Sequence, residues 1–366
     1  MRDVIVEAIG TRIAIDVTGL PPGDRETVGA LWADAAPPVP HTDALPASVV
    51  RLGGAFEFSS ALADLSTRVT VAALGARRGE VWMLHAGGVA DEAGRVAVLI
   101  GPSGAGKTTA VTALGAHLGY VSDESIGVEN SGRVLAYRKP LSVVRAGESW
   151  KEQIPPSALG LLPLPEGPLV LAALILLDRR RDPSSGSREP VLTPVAEGEA
   201  IAMMAEQSSY LTMMPRPLQT IRSHLRRLGG VHRLAYDDAS QLPAVVRGLL
   251  AADRGASGIA VEGDVDATGL FEEVTASLDI GRSDHAVYSR VPFLDEATVA
   301  GAQVVILREG DDGPAQVTVL TPLAGAVWHA LVRPRAVHDA ALRRVADELV
   351  EHGLLRRAAD LATPPG

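Results

Sequence analysis

The chain has no cysteine. That excludes disulfides, thiolate nucleophiles and cysteine-ligated zinc, and it fits a reducing interior. Aromatic residues make up only 4% of the 366 residues, so cores must be built mainly from Ala, Val and Leu. No apolar run approaches the ~20 residues that cross a bilayer; the longest in the middle is Pro168 to Leu177. The start, Met1-Arg2-Asp3-Val4-Ile5-Val6-Glu7, lacks the succession of basic, apolar and small residues that marks a signal peptide. Together these features predict a cytoplasmic protein with no membrane partner. The net charge of -10 argues against nucleic acid, whose non-specific binding needs a basic surface.

What is present suits a globular chain. The apolar fraction is 46% and the charged fraction 21%, and the length is the natural size of two or three units. Val4, Val6 and Ala8 alternate, as do Ile13, Ile15 and Val17, with Gly10 between them. This predicts a hairpin within an N-terminal β-rich lobe, residues 1–65, which the run Ala35-Ala36-Pro37-Pro38-Val39-Pro40 interrupts. Ser66 is predicted to cap a helix through Val69, Val71, Ala72 and Leu74 that ends near Gly79. Val81–Ala90 and Arg95–Ile100 read as strands, Thr108–Leu118 as a helix closed by Gly119, and Tyr120–Ser122 as the next strand. Leu169–Leu177 and Arg233–Tyr236 also read as strands, and Pro217–Leu228 and Leu242–Ala252 as helices. Asp253–Gly258 has linker composition. Residues 66–254 are therefore expected to be one α/β domain, 255–282 a linker and 283–366 an α+β module.

The decisive segment is Gly101-Pro102-Ser103-Gly104-Ala105-Gly106-Lys107-Thr108. It is a phosphate-binding loop, with an apolar strand before it and a helix after it. Its glycines let backbone N–H groups turn toward phosphates, and the helix N-terminus adds a positive field. Gly101, Ser103, Gly104, Ala105, Gly106, Lys107, Thr108 and Thr109 are the expected nucleotide-binding residues. Lys107 reaches the terminal phosphates, and the Thr108 hydroxyl is a ligand for Mg²⁺. There is no guanine-type Asn/Thr-Lys-x-Asp and no Leu-Ser-Gly-Gly-Gln-type signature. The carboxylate pair Asp123-Glu124 closes the very next strand, which places it beside the loop in a sheet.

Leu84-His85-Ala86, the loop, Val121-Ser122-Asp123-Glu124 and Tyr137-Arg138-Lys139-Pro140-Leu141-Ser142 together resemble the kinase core of the HPr kinase/phosphorylase family. The resemblance is nearest to the shorter HPr-kinase-like proteins of peptide natural-product pathways, some of which phosphorylate a serine of a precursor peptide. It spans roughly residues 66 to 250. It implies an α/β P-loop kinase core using ATP and Mg²⁺. In that core Asp123, His85 and Lys107 would be catalytic, and Thr108, Asp123 and Glu124 would hold metal. Two departures stand out: Glu124 replaces an aspartate, and the glycine-rich segment used for phosphorolysis is missing. Kinase chemistry is the expectation, on a Ser/Thr hydroxyl of a peptide or small protein. The rivals are a small-molecule kinase and a nucleotide-gated binding protein.

Taken alone, Asp123 also reads as a turn aspartate and His85 as a core histidine. Arg138, Lys139 and Arg145 read as a phosphate clamp or a solvated basic stretch. Met203-Met204 and Met213-Met214 read as core or peptide-groove filler, and Arg222, Arg226 and Arg227 as a solvated helix face. At the C-terminus, Thr321–Leu331 and Glu348–Leu355 resemble the PqqD-like winged-helix module. The resemblance implies capture of a leader peptide along a sheet edge. The acidic segment Asp339–Glu351 does not read as a DNA-recognition helix, and homo-oligomerisation is compatible with all of this.

Overall fold

The structure is a computed structural model that describes residues 3–37, 45–52, 57–102, 104–144, 151–180, 188–252, 267–278, 286–309 and 315–357. Along the chain run β1 (Val4–Ala8), β2 (Thr11–Asp16), α1 (Pro22–Leu31), β3 (Ser48–Arg51), α2 (Phe58–Ala76), β4 (Trp82–Leu84), β5 (Gly87–Ala90) and β6 (Arg95–Ile100). Then come α3 (Lys107–Gly115), β7 (Gly119–Ser122), β8 (Ile126–Val128), β9 (Val134–Leu135), β10 (Leu141–Val144), β11 (Lys151–Ile154), β12 (Val170–Arg179) and β13 (Val191–Pro194). Next are α4 (Glu197–Glu206), β14 (Ser208–Ser209), α5 (Pro217–Leu228), β15 (His232–Tyr236), α6 (Leu242–Ala251) and α7 (Ala267–Ala276). The chain closes with β16 (Val287–Arg290), β17 (Asp295–Val299), β18 (Gln303–Arg308), β19 (Gln316–Leu320), α8 (Pro322–Ala330), β20 (Arg335–Ala336), α9 (Ala340–Glu351) and β21 (Leu355–Arg357).

These elements form a mixed α/β protein of two compact units. The first takes 1–195, 207–215 and 230–254; the second takes 196–206, 216–229 and 255–366. The second unit therefore claims α4 and α5, which lie within the 66–254 span expected to be a single domain. A boundary at 65 would also cut α2 in two. The Asp253–Gly258 linker and Arg145 lie outside the described residues.

The first unit is organised by a six-stranded sheet in the order β13-β15-β12-β6-β5-β7. β15, β12 and β6 run parallel; β5 is antiparallel to both β6 and β7. Strand β12 lies in the interior of this sheet, and its continuous apolar run Leu171 to Leu177 suits such a place. Its odd-numbered side chains Ala173, Ile175 and Leu177 share a core with Ala110, Val111 and Leu114 of α3 and Leu242, Val246 and Leu250 of α6. Burying one such aliphatic side chain contributes roughly 1.5–3 kcal/mol, and this core fixes α3 against the sheet. A second sheet, β14-β4-β8-β9, is antiparallel throughout.

The β1–β2 hairpin forms as the alternation predicts, and β3 joins it in parallel. Two local expectations fail. Ser66 is not a cap: it is buried in the middle of α2. The apolar stripe already begins at Ala61 and Leu65 and runs on to Val69 and Ala73, so the helix starts eight residues before Ser66, at Phe58. Gly119 does not close α3 either, because the helix ends at Gly115 and Gly119 is the first residue of β7.

In the second unit, β17-β18-β19 form one antiparallel sheet and β20-β16-β21 another. The expected strands Gln303–Arg308 and Gln316–Leu320 are found with those bounds. Trp328, Val327 and Ala326 of α8 pack with Ala346 and Leu349 of α9 and with Val274 of α7. Helix α7 lies in the stretch read as linker. Arg222 is not on a solvated face: its Nε donates to Glu197 Oε1 at 2.9 Å, and Glu197 Oε2 accepts from the Ala300 N–H at 2.9 Å. This carboxylate ties α4, α5 and the start of the turn after β17 together.

Candidate functional site

The site grows from the C-terminal end of β6. Gly101 leaves the strand, and a Cβ there would stand 2.9 Å from the Ala105 Cβ, so the tight loop needs glycine. Gly104 and Gly106 have φ of 79° and 87°, a backbone region that glycine reaches without steric penalty. Gly106 is the N-cap of α3, which aims that helix's first N–H groups at the loop. Ala105 and Thr108 are half-buried and Thr109 exposed. Ser103 lies outside the described residues.

Lys107 is buried, and its ammonium donates to the loop's own carbonyls, Gly101 O at 2.6 Å and Pro102 O at 3.3 Å. Burial lowers its pKa, while Glu124 pulls the other way.

Opposite the loop, β7 delivers Ser122-Asp123-Glu124-Ser125. The buried Ser122 hydroxyl accepts the N–H groups of Glu124 at 3.3 Å and Ser125 at 3.2 Å, a side-chain turn that holds the two carboxylates in place. Asp123 is 6% exposed. Its Oδ2 accepts from Thr108 Oγ1 at 3.3 Å and its Oδ1 from the Tyr120 hydroxyl at 3.0 Å. Burial, then Asp123, push the Tyr120 pKa well above its ordinary value, so Tyr120 stays a neutral donor. The segment 137–140 is laid alongside by Tyr137, whose N–H donates to Val121 O at 3.1 Å.

That placement separates the two basic neighbours. Arg138 donates to Tyr120 O at 2.7 Å and to Leu162 O at 3.0 Å, so it braces the backbone. Lys139 turns into the site, with Nζ 2.9 Å from Glu124 Oε2 and 3.8 Å from Asp123 Oδ1. Burial works against its charge, but Asp123 and Glu124 outweigh that and raise its pKa above the ordinary lysine value. A solvated basic stretch is thus not what these residues make.

His85 is neither in the middle of a strand nor in the core. The run Val81–Ala90 breaks into β4 and β5, which belong to different sheets, and His85 sits exposed at the break. Its N–H donates to Gln207 O at 2.7 Å, and the Ala86 N–H donates to Glu124 O at 3.0 Å. Although the ring reaches solvent, crowding by its neighbours and the charge of Lys107 lower its pKa; Glu124 and Asp123 oppose them. His85, Lys107, Thr108, Asp123 and Glu124 are therefore brought together. Tyr120, as the hydrogen-bond partner of Asp123, was not anticipated. Its spacing of three from Asp123 was the available signal.

Among the described residues no group of three His, Asp or Glu side chains is placed to hold a metal. Thr108 and Asp123 nonetheless offer two hard oxygens 3.3 Å apart. Mg²⁺ is commonly held by one or two carboxylates together with phosphate and water, so this donor set fits it. A cavity of about 670 Å³ opens at the opposite end of β5, β6 and β7, lined in part by Asp91, Arg95, His117, Pro163 and Arg247. No loop or Asp123-Glu124 residue lines it.

No family model and no curated protein sequence matches the chain. Among solved structures it is similar to one described as the Hpr(Ser) kinase/phosphatase from Coxiella burnetii, at 13% identity and a TM-score of 0.25, covering 46% of this chain and 93% of that one. A likeness at that level carries no functional argument, and the reading below rests on the site itself. Among the described residues no helix is long and apolar enough to cross a membrane.

Proposed function

We propose that the first unit is an ATP- and Mg²⁺-dependent kinase core of the HPr-kinase-like type. It would transfer the γ-phosphoryl group to a Ser or Thr hydroxyl of a peptide or small protein. The observation that carries the proposal is Asp123, buried and hydrogen-bonded to the Thr108 hydroxyl at the first turn of the phosphate-loop helix. A carboxylate hydrogen-bonded to the loop threonine is how phosphate-loop proteins hold Mg²⁺ on a nucleotide, and a carboxylate placed there is also within reach of orienting or deprotonating an acceptor hydroxyl.

In this reading the loop N–H groups and Lys107 bind and orient the phosphates. Thr108 and Asp123 would hold Mg²⁺ with Glu124 beside them; the bound ion supplies charge neutralisation on the phosphate oxygens. Where Asp123 is not itself a metal ligand it receives, with His85 next to it, the acceptor's proton as the acceptor oxygen bonds to the γ-phosphorus and the bond to the β–γ bridging oxygen breaks. Lys139 keeps the carboxylates anionic and in place. The second unit is proposed as a PqqD-like module that takes a peptide along the β17-β18-β19 sheet; β17 and β19 are its outer strands.

Asp123→Asn tests the core of this. Transfer should fall about 10²-fold or more, the scale of a positioned general base, with nucleotide affinity far less affected. Wild-type turnover in that variant would remove Asp123 from the chemistry. A nucleotide-gated binder is the second reading, favoured by Lys139 already neutralising the pair; it predicts ATP binding without transfer to any hydroxyl.

A further inference from the structure

Two side chains on the far side of the loop from Asp123 have no place in the account above. Strand β12 runs parallel to β6, with Leu176 opposite Ile100. The register therefore carries Asp178 and Arg179 past the point where β6 becomes the phosphate loop. Arg179 is exposed and crosses Gly106: a Cβ built on Gly106 would stand 3.7 Å from its Cδ and 4.0 Å from its Nη1. Its neighbour Arg180 is committed elsewhere, donating from Nε to Asp237 Oδ1 at 2.8 Å. Among the described residues Arg179 makes no such hydrogen bond, although its charge helps to lower the pKa of Asp238.

The next strand over, β15, ends in Tyr236. This side chain is 1% exposed, and its hydroxyl is buried with no hydrogen-bond partner. It points at the same glycine, 3.4 Å from the Gly106 Cβ position. A buried hydroxyl left without a partner is costly and rare. Here it lies where a helix N-terminus, two positive-φ glycines and an exposed guanidinium converge, the combination that favours a phosphate.

We infer that Arg179 is a second phosphate-binding cation of the loop, acting on the nucleotide's phosphates from the side opposite Asp123, and that the Tyr236 hydroxyl is the acceptor that orients its guanidinium. Arg179 is a binding residue and Tyr236 a positioning residue; neither exchanges a proton with the acceptor. The inference rests on the phosphate-loop reading of residues 101–109 and deepens it.

The test uses the full chain and measures binding of ATP and of inorganic pyrophosphate, with steady-state turnover alongside. Arg179→Met should weaken both ligands about tenfold or more, the scale of a charge-assisted contact to phosphate. Arg179→Lys should recover part of the loss, and KM should rise by more than kcat falls. Tyr236→Phe keeps the ring's packing. It should weaken ATP by a smaller factor, roughly threefold, while raising the melting temperature, because an unpartnered buried hydroxyl is gone. Lys107→Ala is the control. If it abolishes binding while Arg179→Met binds both ligands as the wild type does, the Arg179 assignment is wrong and the phosphate loop stands. If neither substitution changes binding, both fall. Loss of ATP affinity with pyrophosphate unchanged would put the guanidinium on the base or ribose and overturn the phosphate assignment. A Tyr236→Phe protein with unaltered ATP affinity would remove Tyr236 from it.

Discussion

Replacing Lys139 with methionine removes one charge from the centre of the site and little volume. Its Nζ is 2.9 Å from Glu124 and 3.8 Å from Asp123. At an effective dielectric of about 20 the two attractions are roughly 6 and 4 kcal/mol before the cost of burying the ions. Most of the first is not recovered in stability, because the Glu124 side chain is 40% exposed and such pairs contribute up to about 1 kcal/mol. The second is different. Asp123 and Lys139 side chains are 6% and 3% exposed, and breaking a buried pair by removing one partner costs about 3–5 kcal/mol. Asp123 keeps two hydroxyl donors, Thr108 and Tyr120, which reduce that. A destabilisation of about 2–4 kcal/mol at pH 7 follows. Lys139 contributes in full there, since its raised folded pKa means the stabilisation is lost only as pH climbs beyond about 10.5.

The sign of a second effect separates a charge role from mere packing. In the wild type an ammonium already sits on the carboxylate pair, so Mg²⁺ without nucleotide should stabilise little. In Lys139→Met the pair lacks its cation, and millimolar Mg²⁺ should raise the melting temperature and recover part of the lost stability. Thermal unfolding of both proteins with Mg²⁺ varied, nucleotide omitted and ionic strength held with Na⁺, reads this directly. Equal stability of the two proteins, or a variant that Mg²⁺ stabilises no more than the wild type, would refute the reasoning.

Three further outcomes follow. Buried His224 has its pKa pushed down to about 4 by burial, with Arg227 adding. Between pH 6.5 and 4 the unfolded chain takes up a proton that the folded chain refuses, so stability should fall by roughly 3 kcal/mol across that window and not above it. His224→Gln should flatten this part of the urea-denaturation pH profile, and an unchanged slope would acquit the histidine. Truncation after residue 252 should give an aggregating protein rather than a free-standing kinase core, because it strips α4 and α5 of the unit they pack with; a monodisperse, ATP-binding fragment would contradict this. Gly106→Ala should lower triphosphate affinity, since φ of 87° is strained for alanine and its methyl would meet Tyr236 and Arg179; unchanged affinity in a binding titration would show that the cradle tolerates a side chain there.

The phosphate loop is legible in the sequence because all its parts are contiguous: the glycines, Lys107 and Thr108 dictate a local backbone that needs no distant partner. The fate of Lys139 is not, because Arg138 and Lys139 are the same kind of residue until the pairing of segment 137–140 with β7 points one at carbonyls and the other at carboxylates. The break at His85 is hidden for another reason. Val81–Leu84 and Ala86–Ala90 are buried throughout, and a run buried on both faces carries no periodicity to mark where one sheet ends and another begins. Helices α4 and α5 are written in the sequence as amphipathic segments, but which core receives them is decided by Glu197 and Asp295, whose partners lie about 25 to 103 residues away along the chain. Nothing local marks that choice.

The break at His85 also accounts for where the site lies. Strands β4 and β8 pair in the small sheet, while β5 and β7 pair in the large one. Between β4 and β8 the chain therefore passes from the small sheet to the large one at His85-Ala86 and back again at Asp123-Glu124-Ser125. The two crossings are tied by the Ala86 N–H to the Glu124 carbonyl. At a crossing the backbone leaves its ladder, so side chains that would otherwise alternate between buried faces are released toward a common gap. Strand β6, next to β5, ends at the same edge and turns into the phosphate loop. A histidine, two carboxylates and the loop thereby converge, as ligand sites in open α/β sheets gather where strand connections diverge. Gly87 and Gly88 follow from the same geometry. A Cβ at Gly87 would stand 2.3 Å from Val111 Cγ2, and one at Gly88 2.5 Å from Ile126 Cδ1, so glycine here lets α3 and the small sheet close on the strand that follows His85.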